Sequence, residues 1–136
     1  MNIRTVAEVM NTEFLSMPGG TTVAEAIHAM RAINAHALIV DKRTAEDELG
    51  IVLVSDIAKK VLAMDRSPDR VNIYEIMTKP VISVSPTMDI RYCARMFRRF
   101  GLQRAPVIKN GEVLGIIGYE EMLLHWLHLD EFENDS

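Results

Sequence analysis

The stretch "GIVLVSDI", residues 50–57, opens on Gly50, runs through four apolar residues, and meets Ser55 and Asp56 where a helical pattern starts. A carboxylate on such a strand-to-helix corner can do two things. It can favour the first turn of its helix, with Ser55 as the cap. It can also hold a ligand, because its two oxygens accept two hydrogen bonds at once. Arg91, Arg95 and Arg98 are spaced four and three apart and share a helix face, with Arg99 beside them. Such a strip suits phosphates or an acidic partner. The plainer account is the solvated face of an amphipathic helix. Cys93 falls on the apolar side of the same segment and reads as core, not as a nucleophile. His125 and His128 have no further ligand near them in sequence, so they do not make a zinc set. There is no Ser/His/Asp order, no P-loop and no Rossmann glycine pattern.

The elements that must position these residues are those of an ordinary globular chain. Of 136 residues, 49% are hydrophobic and 25% charged, a composition able to bury a core. No apolar run approaches the roughly 20 residues of a membrane helix. "MNIRTVAEVM" has no apolar h-region, so no signal peptide is expected. The single cysteine excludes an internal disulfide framework and suits a reducing cytoplasm, the expected location. A net charge of −4 argues against general nucleic-acid binding.

The chain is written twice. "VAEVM" at 6–10 returns as "IYEIM" at 73–77, and Leu15-Ser16-Met17 returns as Ile82-Ser83-Val84. Val23, Ala26, Ile27, Met30 and Ile33 map onto Ile90, Cys93, Ala94, Phe97 and Phe100, one apolar helix face in each copy. Gly50-Ile51 maps onto Gly115-Ile116 after a first loop that is longer. The spacing predicts a short helix at 4–10, extended chain at 14–17, and a helix at 23–34 behind a Thr22/Glu25 capping box. Strands at 37–41 and 49–54 and a helix from about 56 to 64 complete the first copy. The second predicts a capping box at Asn72/Glu75, a strand at 81–84, a helix at 88–100, strands at 105–109 and 113–118, and a helix at 120–129. Asn110-Gly111 predicts a hairpin between the last two strands. The expected division is 1–64 for the first repeat, 65–71 for a polar linker, 72–129 for the second repeat and 130–136 for a frayed acidic tail. Neither half can cover both faces of its sheet alone, so the fold class is mixed α/β (α+β), two pseudo-symmetric βαββα repeats packed through their sheets.

These doubled motifs, "VAEVM…FLSM…HALIVD…GIVLVSDI" and "IYEIM…VISV…QRAPVI…GIIGYEEM", resemble a tandem pair of CBS domains over about 5–129. The resemblance implies a stand-alone regulatory module and no enzyme. It implies adenosine ligands, AMP, ADP, ATP or S-adenosylmethionine, with no required cofactor and no metal site. The family's ribose–phosphate pattern resembles Gly-hydrophobic-x-Thr/Ser-x-x-Asp/Asn. Gly50 and Asp56 match it, with Leu53 where a hydroxyl is expected. Gly115 matches in the second copy, with Gly118 in the hydroxyl place and Glu121 in the acidic one. The resemblance then implies a nucleotide site of Asp56 on ribose and Arg104 on phosphate, with Met10, Leu15, Ser16, His36, Ala37 and Leu38 around adenine. A weaker second site would use Glu121, Ile82, Ser83 and Gln103. The bland account of Arg104 is a solvated residue at a strand start.

The last helix is unusually apolar, and helices at this place often pair in the family. A homodimer through 57–64 and 122–129 is therefore expected, with Ile57, Val61, Met122, Trp126 and Leu129 as contacts. The function expected is a cytoplasmic energy or ligand sensor that signals to a regulated protein partner. The alternative is an interaction protein whose ligand sites have degenerated, supported by Leu53 and Gly118.

Overall fold

The computed structural model describes residues 4–126; Leu127, His128, Leu129 and the 130–136 tail lie outside the described residues. It is a mixed α+β chain that divides into two compact units. One is Phe14–Val81. The other combines the chain up to Glu13 with the chain from Ile82 onward. These spatial units are offset from the sequence repeats, because each repeat's leading helical piece is built into the other unit.

In the unit Phe14–Val81, β1 (Leu15–Met17) pairs parallel with β2 (Ala37–Val40), which pairs antiparallel with β3 (Gly50–Leu53). Helix α2 (Val23–Ala32) begins at Thr22, whose hydroxyl oxygen accepts the Glu25 amide at 3.1 Å. It buries Val23, Ala26 and Met30 against Leu38, Val52 and Val61. Ile27 and Ile33, expected on the same face, stand 40% and 43% exposed, so the buried stripe is narrower than the apolar one. The segment that leads the second repeat, with its short 3₁₀ turn Ile73–Glu75, completes this core through Val71, Ile73 and Ile76.

In the other unit, α1 (Val6–Val9) is a single turn that cannot persist alone. Its Val6 and Val9 join the core of α4 (Ile90–Phe100), β4 (Arg104–Lys109) and β5 (Glu112–Gly118). Asp89 caps α4 by accepting the Arg91 amide at 2.8 Å. Cys93 and Phe97 are fully buried at its centre, as expected for core. β4 and β5 form the hairpin at Asn110-Gly111, with φ of 52° and 78°, the left-handed pair that a two-residue turn requires. A last helix, α5, occupies 119–126 of the described chain.

Two expectations are corrected. The strand at 81–84 shrinks to one parallel bridge, Val84 to Val107. Val84 donates to Pro106 O and accepts from Ile108 N, but the neighbouring rungs would need N–H donors from Pro106 and Pro86, which have none. The first repeat has Ile39 in the place of Pro106 and forms a true strand. The helix expected from 56 starts earlier, as α3 (Val54–Ile57), and continues as a π-helical turn, Ala58–Leu62. Ser55 therefore lies inside the first turn and does not cap it. Leu53 holds the cap position, and its amide donates to the carboxylate of Asp56 in the first turn.

Candidate functional site

The β3–α3 corner is assembled by short-range chemistry. Leu53 ends β3 opposite Ala37, and the amide of Val54 donates to His36 O at 3.0 Å. One oxygen of Asp56 accepts the Leu53 amide at 2.8 Å. The other lies 3.7 Å from Lys60 Nζ, one helical turn on. That is a loose contact, because Lys60 also donates to Ile76 O at 3.0 Å. The Asp56 side chain keeps 16% of its surface exposed. The carboxylate thus does the helix-start job with one oxygen and has acceptor capacity left on the other. Leu15 pairs with Leu38 in the same sheet. Ser16 is exposed, but its hydroxyl donates to Asp41.

Within the Phe14–Val81 unit the fold thus gathers Leu15, Ser16, His36, Ala37, Leu38 and Asp56 onto one three-stranded sheet and the helix that leaves it. Met10 and Arg104 belong to the other unit.

The corresponding corner there is built from the same parts with different volumes. Gly118 ends β5 opposite Arg104, and Glu121 accepts the Gly118 amide at 3.0 Å. A Cβ on Gly118 would collide with the Arg104 guanidinium, so the arginine lies across the glycine. Its outer end is ion-paired with Glu120. The Arg104 side chain is only 15% exposed, which corrects the bland account of a solvated residue. Ser83 and Gln103 are exposed and Ile82 is 44% exposed. His125 Nδ1 sits 2.8 Å from Glu121 O on its own helix. Among the described residues no cluster of His, Cys, Asp or Glu could hold a metal.

The glycine of each corner pattern has a packing reason. A Cβ at Gly50 would come within 2.6 Å of Met77 Sδ, and one at Gly115 within 2.7 Å of Asn11 O and close to Met10. Met10 and Met77 are the repeated methionines, each seated on the glycine of its own compact unit.

Sequence reasoning missed Lys60, Glu120 and Asp41, the partners of Asp56, Arg104 and Ser16. Lys60 was legible as an i,i+4 partner. The other two depend on chain pairing.

Each unit also has an apolar groove. One, of about 470 Å³, lies between α2 and α3, lined by Ile27, Val54, Ile57 and Leu62 over Val61. The other, of about 540 Å³, lies between α4 and α5, lined by Ala94, Tyr119, Leu123 and Trp126 over Met122. Val61 and Met122 are buried groove floors, 3% and 4% exposed, and the outward apolar surface is that of Val54, Leu62, Leu123 and Trp126. No helix among the described residues is long and apolar enough to cross a membrane.

The comparisons agree with this architecture. The family model described as "CBS domain" matches twice, at residues 6–63 and 73–127. The hexameric CBS-CP12 protein of bloom-forming cyanobacteria superposes with a TM-score of 0.86 at 36% identity, over 89% of this chain and 70% of that one. The CBS domain pair of protein MJ0100, crystallised with 5′-methylthioadenosine and S-adenosylmethionine, superposes at 0.79 with 22% identity, over 92% and 97% of the two chains. An uncharacterized protein of Methanopyrus kandleri, MK0525, is 25% identical over 87% of this chain, which spans 60% of its length. By the doubled match and the shared fold, the chain belongs to the CBS-domain family and carries two copies of that domain.

Proposed function

We propose that this chain is a regulatory module that binds an adenosine-containing ligand, AMP, ADP, ATP or S-adenosylmethionine, with the Asp56 corner as its ribose site. The observation that carries the reading is the half-committed carboxylate. One oxygen satisfies the Leu53 amide and the other, among the described residues, meets only Lys60 at 3.7 Å. Ribose hydroxyls need such an acceptor, and Lys60 beside it favours an anionic ligand. The adenosine compounds held by the MJ0100 domain pair support the ligand class. The module works in the cytoplasm, is not an enzyme, and signals by changing its equilibrium between two states, which a regulated partner reads. It forms a homodimer through the 57–64 and 122–129 segments, whose exposed Leu62, Leu123 and Trp126 gain cover.

A second reading rests on one specific observation. Arg104 fills the place of a side chain at 118 and is paired with Glu120; in this reading the Glu121 corner is occupied by the chain's own side chains and takes no sugar. If the Asp56 corner is equally retired, the protein acts through its dimer and partner surfaces alone.

Thermal unfolding with each of the four compounds, on the wild type and on Asp56→Ala, separates the two. A ligand at 100 times its dissociation constant adds about 2.7 kcal/mol to the folded state. The readout is the ligand-dependent shift of each protein against its own baseline. A shift in the wild type that disappears in Asp56→Ala supports the ribose site. No shift with any compound at millimolar concentration supports the interaction reading. Sedimentation of the wild type beside Trp126→Glu tests the dimer.

A further inference from the structure

Helix α4 carries a face that its packing does not explain. Arg95, Arg98 and Arg99 are exposed, and no ion pair or hydrogen bond engages them among the described residues. Arg95 lies over the ring of Tyr92 at 5.2 Å and Arg99 over the ring of Phe100 at 5.9 Å. These rings are themselves 63% and 56% exposed. Arg91 is spoken for: it binds Asp89 and, with a lesser contribution from the charge of Arg95, holds that carboxyl below its ordinary range.

The first repeat is an internal control. Helix α2 has the same core positions, Val23, Ala26 and Met30 for Ile90, Cys93 and Phe97, all buried. At the places of Tyr92, Arg95, Arg98, Arg99 and Phe100 it has Glu25, His28, Arg31, Ala32 and Ile33. The fold therefore needs the buried residues and not Arg95, Arg99 or the two exposed rings, while the place of Arg98 keeps an arginine in both copies. The helix dipole favours cations in the last turn, which covers Arg98 and Arg99 but not Arg95 or the stacked rings.

We propose that this arginine–aromatic face of α4 docks an acidic peptide segment of another protein. Guanidinium groups bind carboxylates in bidentate fashion, and stacking on Tyr92 and Phe100 holds two of them in place before binding. An 11-residue helix is roughly 16 Å long, the span of about five extended residues of a partner. The charge argues for a short peptide over a nucleic acid. The chain is acidic overall at −4, so this positive patch sits on a surface that repels a long polyanion.

The test uses the full chain and fluorescein-labelled hexaglutamate, with hexaglutamine as the neutral probe, followed by anisotropy. Saturable, salt-sensitive binding of hexaglutamate alone is expected. It should weaken at least about tenfold in the double variant Arg95→Gln, Arg99→Gln, and again in Arg98→Glu, while Arg31→Gln on α2 leaves it unchanged. Unfolding curves of each variant confirm that the fold is kept. No binding, or equal loss in Arg31→Gln, overturns the proposal. Tighter binding of single-stranded oligouridine than of hexaglutamate, lost in the same α4 variants, also overturns it and makes the face a nucleic-acid surface.

Discussion

The two strand-to-helix corners solve one packing problem with opposite volumes. In the Phe14–Val81 unit the cross-strand pair is Ala37 with Leu53. In the other unit it is Arg104 with Gly118. Small meets large in each, with the sizes exchanged between strands. The carboxylate one turn later does the same backbone work in both, accepting an amide at 2.8 Å from Leu53 and at 3.0 Å from Gly118. What differs is the company it keeps. Asp56 has a loosely held lysine and spare acceptor capacity. Glu121 stands next to a corner that the chain has filled with its own Arg104–Glu120 ion pair. A repeated motif can therefore keep its folding role in both copies while the side chains around it diverge.

The cores beneath the corners should differ most under mutation. Phe97 and Met30 hold equivalent places, and both are buried. Phe97→Ala should cost about 3–5 kcal/mol and Met30→Ala about 2–5 kcal/mol in urea unfolding, with Phe97 the larger because more volume is removed. A smaller loss at Phe97 than at Met30 would break the equivalence.

The volume exchange can be reversed. Gly118→Leu should destabilise by about 1–3 kcal/mol, because the new side chain meets Arg104. Adding Arg104→Ala, which copies the first corner, should recover most of that loss. A double-mutant cycle reads the coupling, and strict additivity would show that the two residues do not share the space.

The carboxylates should be alike in stability and unlike in binding. Asp56→Ala and Glu121→Ala each remove an acceptor at a helix start and should cost about 1 kcal/mol. Only Asp56→Ala should abolish a ligand-induced rise in Tm. Equal effects on binding would mean that both corners hold ligand.

The smallest effect concerns Cys93, whose counterpart is Ala26. Burial pushes the Cys93 thiol up to about 11. The unfolded thiol ionises near ~8.5, so its stabilising effect is complete below that value and is lost as pH rises towards the folded one. Wild type should therefore lose stability over this alkaline window relative to Cys93→Ala, and its thiol should react with a disulfide reagent only on unfolding. Rapid labelling of the native protein would contradict the burial.

How much of this was legible depends on the range of the interaction. Thr22 at its helix start, the 3.6-residue stripe of α4 and the Asn110-Gly111 turn are local patterns, and the structure has them where their spacing placed them. The strand at 81–84 failed because its ladder depends on which residue lies opposite. Pro106 had to be known as the neighbour of Val84 before its missing N–H mattered. The start of α3 was misplaced because Ser55 looks like a cap. The helix instead starts after Leu53, whose amide donates to the Asp56 carboxylate inside the first turn.

Periodicity and order along the chain are enough to establish the duplication, the family and the centre of each long helix's buried face, though not its width. Folding in three dimensions is what puts Arg104 over Gly118, seats Met77 on Gly50 and Met10 beside Gly115, and builds each repeat's leading helical piece into the core of the other unit. Those facts are contacts between residues remote in the chain. Steric fit at a few ångströms selects them, and no linear pattern encodes that distance.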